Sequence, residues 1–103
     1  MDDRFWVEDI RDHARYALAY SAHDDHAHLL ATVKALENLF EASTALSEPT
    51  REAIFPAADH AALRRLRNFW VHQYHRIDAA LVHAVVADEM PAIVKRAEAW
   101  LDA

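Results

Sequence analysis

The chain has 103 residues and a formal net charge of −6, and it contains no cysteine, no glycine and three prolines. This length is enough for one domain with a single modest core. Without cysteine there are no disulfides or thiolate metal sites, and without glycine the tight turns of sheet-rich folds are hard to form. The composition therefore predicts one all-α domain over residues 1–103, an antiparallel bundle of four helices, or of five if residues 50–55 are helical.

The start of the sequence shows no export signal. Asp2, Asp3 and Arg4 precede only a short apolar group, far less than the apolar region of a signal peptide. No apolar run approaches the roughly 20 residues that a membrane-spanning helix needs. We therefore expect a soluble protein in the reducing cytoplasm, with no membrane partner.

Two helices are predicted in the first half from the 3.6-residue spacing of apolar side chains. Asp2 or Asp3 can cap the first, which ends near Ala22. Its buried stripe is Trp6, Ile10, Ala14, Ala17 and Tyr20 or Ser21. Asp24 or Asp25 can cap the second. Its inward residues are Leu29, Leu30, Val33, Leu36, Leu39, Phe40 and Leu46. We expect Ser47-Glu48-Pro49 to stop this helix, because a residue before proline disfavours the helical conformation.

Two more helices are predicted after a connection at residues 49–58, which has room for one helical turn before Pro56. Asp59 is expected to cap the third helix, which presents Leu63, Leu66, Phe69, Trp70 and Tyr74 on adjacent faces. Asp78 is expected to cap the fourth, with Ile77 and Val82 as a hydrophobic staple. The stripe of the fourth helix is Leu81, Val82, Val85, Val86, Met90, Ile93, Ala97 and Trp100, and Pro91 should kink it.

Positive charge is concentrated in one segment. The acidic net charge argues against a general nucleic-acid binder, because lysines and arginines supply most non-specific affinity for phosphates. Residues 59–77, however, carry Arg64, Arg65, Arg67 and Arg76 against Asp59 alone. This segment can therefore bind phosphate, although arginines that only solvate an exposed helix face are the alternative.

The same segment contains the sequence Leu66-Arg67-Asn68-Phe69-Trp70-Val71-His72-Gln73-Tyr74. Arginine keeps its charge and can form paired hydrogen bonds to phosphate, while histidine exchanges a proton near neutral pH. Asn68 and His72 are one helical turn apart, so the amide can hydrogen-bond the imidazole. These groups suit chemistry on a phosphodiester.

This arrangement resembles the signature of the HEPN ribonuclease toxins of the HepT type: an arginine, an asparagine, a histidine five positions after the arginine, and a tyrosine two further on. Residues 33–42, with Leu36-Glu37 and Glu41-Ala42, are similar to the family's second helix. Asp78 and Pro91 stand where the family opens its last helix and has a proline inside it. Arg65 and Lys34 depart from the pattern, which often has glycine and arginine there.

The resemblance implies a HEPN-like bundle and an endoribonuclease that uses neither metal nor cofactor. His72 would take the proton from a ribose 2′-hydroxyl, Arg67 would stabilise the charge on the attacked phosphate, and Asn68 would support them. Arg64, Arg65 and Arg76 are predicted to bind the RNA. DNA is not an expected partner, because it lacks the 2′-hydroxyl.

The resemblance also implies a homodimer. On one helix, His72 is rotated by about 140° from Arg67, so one chain cannot easily aim both at a single point. A second subunit, or side chains that bend at the helix end, would solve this. Control is implied as well: a minimal nucleotidyltransferase antitoxin would adenylylate Tyr74 and silence the toxin. A tyrosine ring that simply packs on the core is the alternative.

Other polar residues allow more than one interpretation. Glu37 lies on an apolar stripe and needs a partner if it is buried; Arg67 is one candidate, and Lys34 or solvent exposure is the alternative. The cluster at residues 23–28 has histidines and aspartates at metal-ligand spacing, but a polar corner between two helices is the preferred interpretation, and no metal site is predicted. His13, His60, His75 and His83 show no informative spacing.

A rival hypothesis assigns no catalysis to this chain. Four-helix proteins also serve as binding partners of nucleotidyltransferases, and the acidic net charge and Arg65 fit such a role. The complete motif favours the enzyme.

Overall fold

The computed structural model describes residues 2–72 and 76–103, apart from the side chains at positions 71 and 72. These residues form five helices and no strand: α1 (Asp3–Ser21), α2 (His26–Thr44), α3 (Glu48–Ile54), α4 (Ala57–His72) and α5 (Ala79–Asp102). The all-α prediction is confirmed in its five-helix form.

Aspartates cap three of the helices, because their side-chain oxygens accept the free backbone N–H groups of a first turn. Asp2 accepts from the Phe5 amide, Asp25 from His28 and Asp78 from Leu81. At α1 and α2, where the sequence allows two candidate caps, the structure uses Asp2 and Asp25. The cap of α5 is the predicted one.

The core lies between α1, α2 and α5, with α1 packed against both of the others. Helix α4 packs on α2, and the short α3 packs on α5. The predicted stripes are largely buried, with Val7 and Leu101 as additional members. Trp6, Leu30, Val85 and Trp100 are half-buried at the margin. Val82 is buried and Ile77 half-buried against the core, as the predicted staple requires.

The prediction that Ser47-Glu48-Pro49 stops the second helix is wrong. Helix α2 already ends at Thr44, and these residues open α3 with proline in its first turn, where its missing N–H is no loss. Asp3 fixes this start by accepting from the Ser47 amide at 3.0 Å and from the Thr50 hydroxyl at 2.6 Å. These hydrogen bonds, with that of the Ser47 hydroxyl first, hold the pKa of Asp3 below its ordinary value.

The predicted cap of the third helix is also wrong. Helix α4 begins at Ala57, so Asp59 lies inside its first turn, and the Pro56 carbonyl accepts from the His60 amide. The Asp59 carboxylate instead lies 3.6 Å from the Arg96 guanidinium of α5, which also donates to the Ile54 carbonyl. A long-range ion pair therefore replaces the local cap, while the acidic group still faces the favourable end of the helix dipole.

Two residues predicted to face inward are exposed. Phe69 is 44% exposed and Leu81 is 43% exposed, and they lie on neighbouring parts of α4 and α5. Among the described residues, no helix is both long enough and apolar enough to cross a membrane.

Candidate active site on α4

The arginines of α4 lie on two different faces of the helix. At 100° per residue, Arg64 is rotated by about 60° from Arg67, whereas Arg65 is rotated by about 160°. Arg64 and Arg67 therefore share the side that packs toward α2, and Arg65 faces α5. The three cannot form one continuous RNA-binding surface on a single chain.

Arg67 is held in place by α2. Its Nη2 donates to Glu41 Oε1 at 2.8 Å, and the guanidinium carbon lies 5.9 Å from the centre of the Phe40 ring. Its Nη1 makes a longer contact of 3.4 Å to Asn68 Oδ1. A guanidinium has five N–H donors, so these contacts leave donors available for phosphate oxygens.

Glu37 does not pair with Arg67. Its carboxylate lies 3.7 Å from Lys34 on the same helix, so the structure selects the local alternative. The carboxylate that meets Arg67 is Glu41, one turn further along α2. The predicted supporting role of Glu37 therefore rests only on its position one turn before Glu41 on α2.

The remaining residues of the motif are described to different extents. Asn68 is exposed, and its oxygen faces Arg67. The His72 backbone completes α4, but the predicted Asn68–His72 hydrogen bond involves a side chain outside the described residues, and Tyr74 lies outside them entirely. Arg76 is exposed two residues before the Asp78 cap.

The backbone of α4 is helical from Arg67 to His72. The rotation of about 140° between these two positions therefore holds in the folded chain. Position 72 instead lies within about 20° of Arg65 and about 60° of Phe69 around the helix axis. Arg67 and position 72 thus belong to different faces of α4.

Apart from Arg65, the face of α4 that carries Phe69 is apolar. Together with α5 it forms a shallow groove, the α4–α5 surface, lined by Ala62, Arg65, Leu66, Phe69, Leu81 and Val85. Exposed apolar groups in one contiguous patch typically mark a contact with another protein surface.

His60 is a buried polar residue that sequence analysis did not single out. It is 9% exposed, and its ring stacks on Phe40 with centroids 5.3 Å apart. Nε2 lies 2.9 Å from the Ser43 hydroxyl of α2. Burial, and then the charges of Arg51 and Arg64, lower the pKa of His60, so the ring is neutral at pH 7.

The histidine-rich corner between α1 and α2 is a helix cap. Asp25 accepts from both the backbone amide and the ring of His28, and these bonds, the backbone bond first, lower its pKa. The His23 and His28 rings are stacked, and potential ligand atoms of His23, Asp25 and His28 lie within 4.8 Å of one another. Asp24 and His26, which the spacing argument included, are not part of this group.

Glu41 and His60 are thus the two side chains around Arg67 that the sequence prediction missed. Glu41 was visible only as part of the Glu41-Ala42 pair on α2. His60 precedes Arg64 and Arg67 by four and seven residues and so falls on the same helical stripe, which is a signal available from the sequence.

Arg67 is thus a fixed cation that rests on the Phe40 ring. Such a cation suits stabilisation of a phosphate whose charge grows during reaction. His60 packs against Phe40 rather than against the guanidinium, so the proton-transfer group must come from elsewhere.

Comparisons with known proteins agree with this chemistry. The sequence profile of the family described as Ribonuclease HepT-like matches residues 7–100, nearly the whole chain. The protein named "Putative RNase MJ1380" from Methanocaldococcus jannaschii is 28% identical over 104 residues, which cover 94% of this chain and 94% of that protein. No solved structure matches the chain.

Proposed function

This chain belongs to the HepT-like ribonuclease family, and from that premise we propose that it is a homodimeric, metal-independent endoribonuclease toxin. The observation that carries the proposal is the placement of Arg67. It is anchored to Glu41 and Phe40 on one side of α4, while position 72 lies about 140° away on the same helix.

The proposed reaction is an internal transesterification. His72 removes the proton from a ribose 2′-hydroxyl, and the 2′-oxygen attacks the adjacent phosphorus. The bond from phosphorus to the 5′-oxygen breaks, and that oxygen takes a proton from a second imidazole. The products are a 2′,3′-cyclic phosphate and a 5′-hydroxyl. Arg67 stabilises the charge on the non-bridging oxygens throughout.

A dimer would supply what one chain lacks. The α4–α5 surface is apolar, and position 72 lies on the same side of α4 as Arg65 and Phe69. Two copies that meet through this surface would bring both His72 positions to the interface. One copy of His72 could then act as base and the other as acid.

Control by a partner is the other part of the proposal. A nucleotidyltransferase antitoxin would transfer AMP from ATP to the Tyr74 oxygen and release pyrophosphate. Tyr74 follows Arg67 by seven positions in the sequence, and in this proposal the phosphate added to it competes with RNA for the guanidinium. The added group would both block the cleft and neutralise its charge.

Cleavage assays with Arg67→Ala and His72→Ala test the reaction. Both variants should keep the helical circular dichroism spectrum and lose RNA cleavage and toxicity in a growth assay. Wild-type cleavage should persist in EDTA and fail on a substrate with 2′-deoxyribose at the cut site. Full activity in either variant, or cleavage of the deoxy substrate, contradicts the mechanism.

The same variants separate the enzyme from the alternative of a non-catalytic nucleotidyltransferase partner. A binding partner would affect growth equally with or without Arg67 and His72. Loss of toxicity in both variants, with folding and partner binding retained, supports the enzyme.

A further inference from the structure

A polar pocket lies on the Arg67 side of α4, between α3 and the first turns of α4. This α3–α4 pocket has a volume of about 270 Å³. That is near the lower end of ligand pockets, about 300 Å³, so a bound nucleotide would fill it and extend into solvent. Its polar lining consists of Glu48, Arg51, Glu52, His60 and Arg64, and Phe55 forms an apolar wall.

Four charged side chains line the pocket. None of the ion pairs formed among the described residues includes Arg51, Arg64, Glu48 or Glu52. Arg51 and Arg64 come from different helices and both lie close enough to influence the His60 ring. Two guanidinium groups on one pocket are suited to a phosphate.

The hydrogen bonds of His60 fix which ring nitrogen can bind a ligand. The Ser43 hydroxyl must donate its one hydrogen to the Phe40 carbonyl, since a carbonyl only accepts. His60 Nε2 therefore donates to Ser43, and the neutral ring carries its lone pair on Nδ1. No buried side-chain nitrogen or oxygen among the described residues lacks a partner, so Nδ1 is reached by solvent.

The pocket lies close to the site at Arg67. Phe40 contacts both the His60 ring and the Arg67 guanidinium. Arg64 and Arg67 are separated by about 4.5 Å along the helix axis. A nucleotide in the pocket would thus be next to a phosphate held by Arg67.

We propose that the α3–α4 pocket binds the nucleotide adjacent to the scissile phosphate and prefers guanine. Arg51 and Arg64 hold its phosphate, while His60 Nδ1 and the carboxylates of Glu48 and Glu52 accept hydrogen bonds from its base. The three groups that face the base, His60 Nδ1 and the two carboxylates, are all hydrogen-bond acceptors. Guanine presents two adjacent donors, N1–H and N2–H₂, on the edge that single-stranded RNA exposes. This inference rests on the proposed ribonuclease function.

Binding of guanosine and uridine 5′-monophosphates tests the pocket without cleavage, because neither contains a phosphodiester. Titration of isotope-labelled wild-type protein should shift the amide signals of α3 and the start of α4, with tighter binding of the guanosine nucleotide. Arg51→Ala should weaken that binding about fivefold, from loss of a charge-assisted hydrogen bond. Lys95→Ala removes the same charge from an exposed site on α5 and should leave binding unchanged.

Cleavage kinetics then connect the pocket to the reaction. Arg51→Ala should raise KM for RNA and flatten the preference for guanine beside the cut, while kcat at saturation stays near wild type. Equal binding of both nucleotides, shifts at other sites, or an unchanged KM in Arg51→Ala would overturn the subsite while cleavage itself stands. Guanosine nucleotide binding by a protein that cleaves no RNA would instead overturn the ribonuclease proposal, and the RNA subsite with it.

Discussion

Arg67 and Glu41 join α4 to α2 through a 2.8 Å ion pair, above the ring of Phe40. The two side chains are 37% and 58% exposed, and exposed pairs of this kind contribute about 0–1 kcal/mol to stability. The contact therefore matters more for position than for stability. It holds the guanidinium in one orientation before RNA arrives, which lowers the ordering needed for the reaction.

This leads to a prediction for two Glu41 variants. Glu41→Ala should reduce kcat/KM for RNA about tenfold, because the guanidinium loses its orientation. Glu41→Gln retains an oxygen acceptor and should keep most activity. Thermal unfolding should show a stability change within about 1 kcal/mol for both. Equal activity in Glu41→Ala and wild type would show that the ion pair does not position Arg67.

Much of the fold could be predicted from local sequence. The caps at Asp2, Asp25 and Asp78 depend only on a side chain and the amide three residues later, so a short segment contains the whole signal. The buried stripes follow from helical periodicity for the same reason. Asp59 shows the limit, because its partner Arg96 is distant in sequence and only the packed bundle brings them together.

In the candidate site, too, local features could be predicted from the sequence and contacts between helices could not. The motif places Arg67 and His72 on one helix, and their angular separation follows from the register alone. The carboxylate partner of Arg67 could not be assigned, because Glu37 and Glu41 lie one turn apart on α2 and helix packing decides which one meets the arginine. His60 was missed although its helical spacing from Arg64 and Arg67 is visible, because its partner Ser43 lies on another helix and only packing brings the two together.

The protonation of His60 leads to a prediction about stability and pH. Burial, Arg51 and Arg64 favour the neutral ring in the folded protein and lower its pKa from 6.5. The stability contribution is therefore fully present above about pH 6.5 and is lost as pH falls through the lower folded pKa. Denaturant unfolding should show decreasing stability below that pH.

His60→Gln provides the control for this effect, since its amide can still donate to Ser43. This variant should be less stable overall but should show a flatter dependence between pH 7.5 and 5. Asp3 and Asp25 also have lowered pKa values, but their contributions change only as pH falls below about 3.8. An unchanged slope in His60→Gln would mean that another group produces the pH dependence.

The α4–α5 surface gives a prediction for assembly. Phe69→Glu should shift the protein from dimer to monomer in light scattering at micromolar concentration and should abolish cleavage, because a charge cannot be buried there without a partner. Phe5→Glu is a matched control: Phe5 is also 44% exposed but lies on α1. Dimers that persist in Phe69→Glu would place the interface elsewhere.

Regulation leads to a prediction for Tyr74. Incubation with a cognate nucleotidyltransferase and ATP should add AMP to the peptide that contains Tyr74 and should stop RNA cleavage, because the new phosphate occupies the site of the substrate phosphate. Tyr74→Phe should escape modification and keep most activity. Mass spectrometry that instead locates AMP on Tyr16 or Tyr20 would assign the control to a different surface.

The most direct test of the shared active site uses a heterodimer of one wild-type and one His72→Ala subunit, purified through two different affinity tags. If each chain held a complete site of its own, this heterodimer would keep about half of the wild-type cleavage rate. The proposed site needs both His72 rings, one as base and one as acid, so the heterodimer should cleave RNA at far below half of that rate. A heterodimer that keeps about half of the wild-type rate would contradict a site assembled from the two chains.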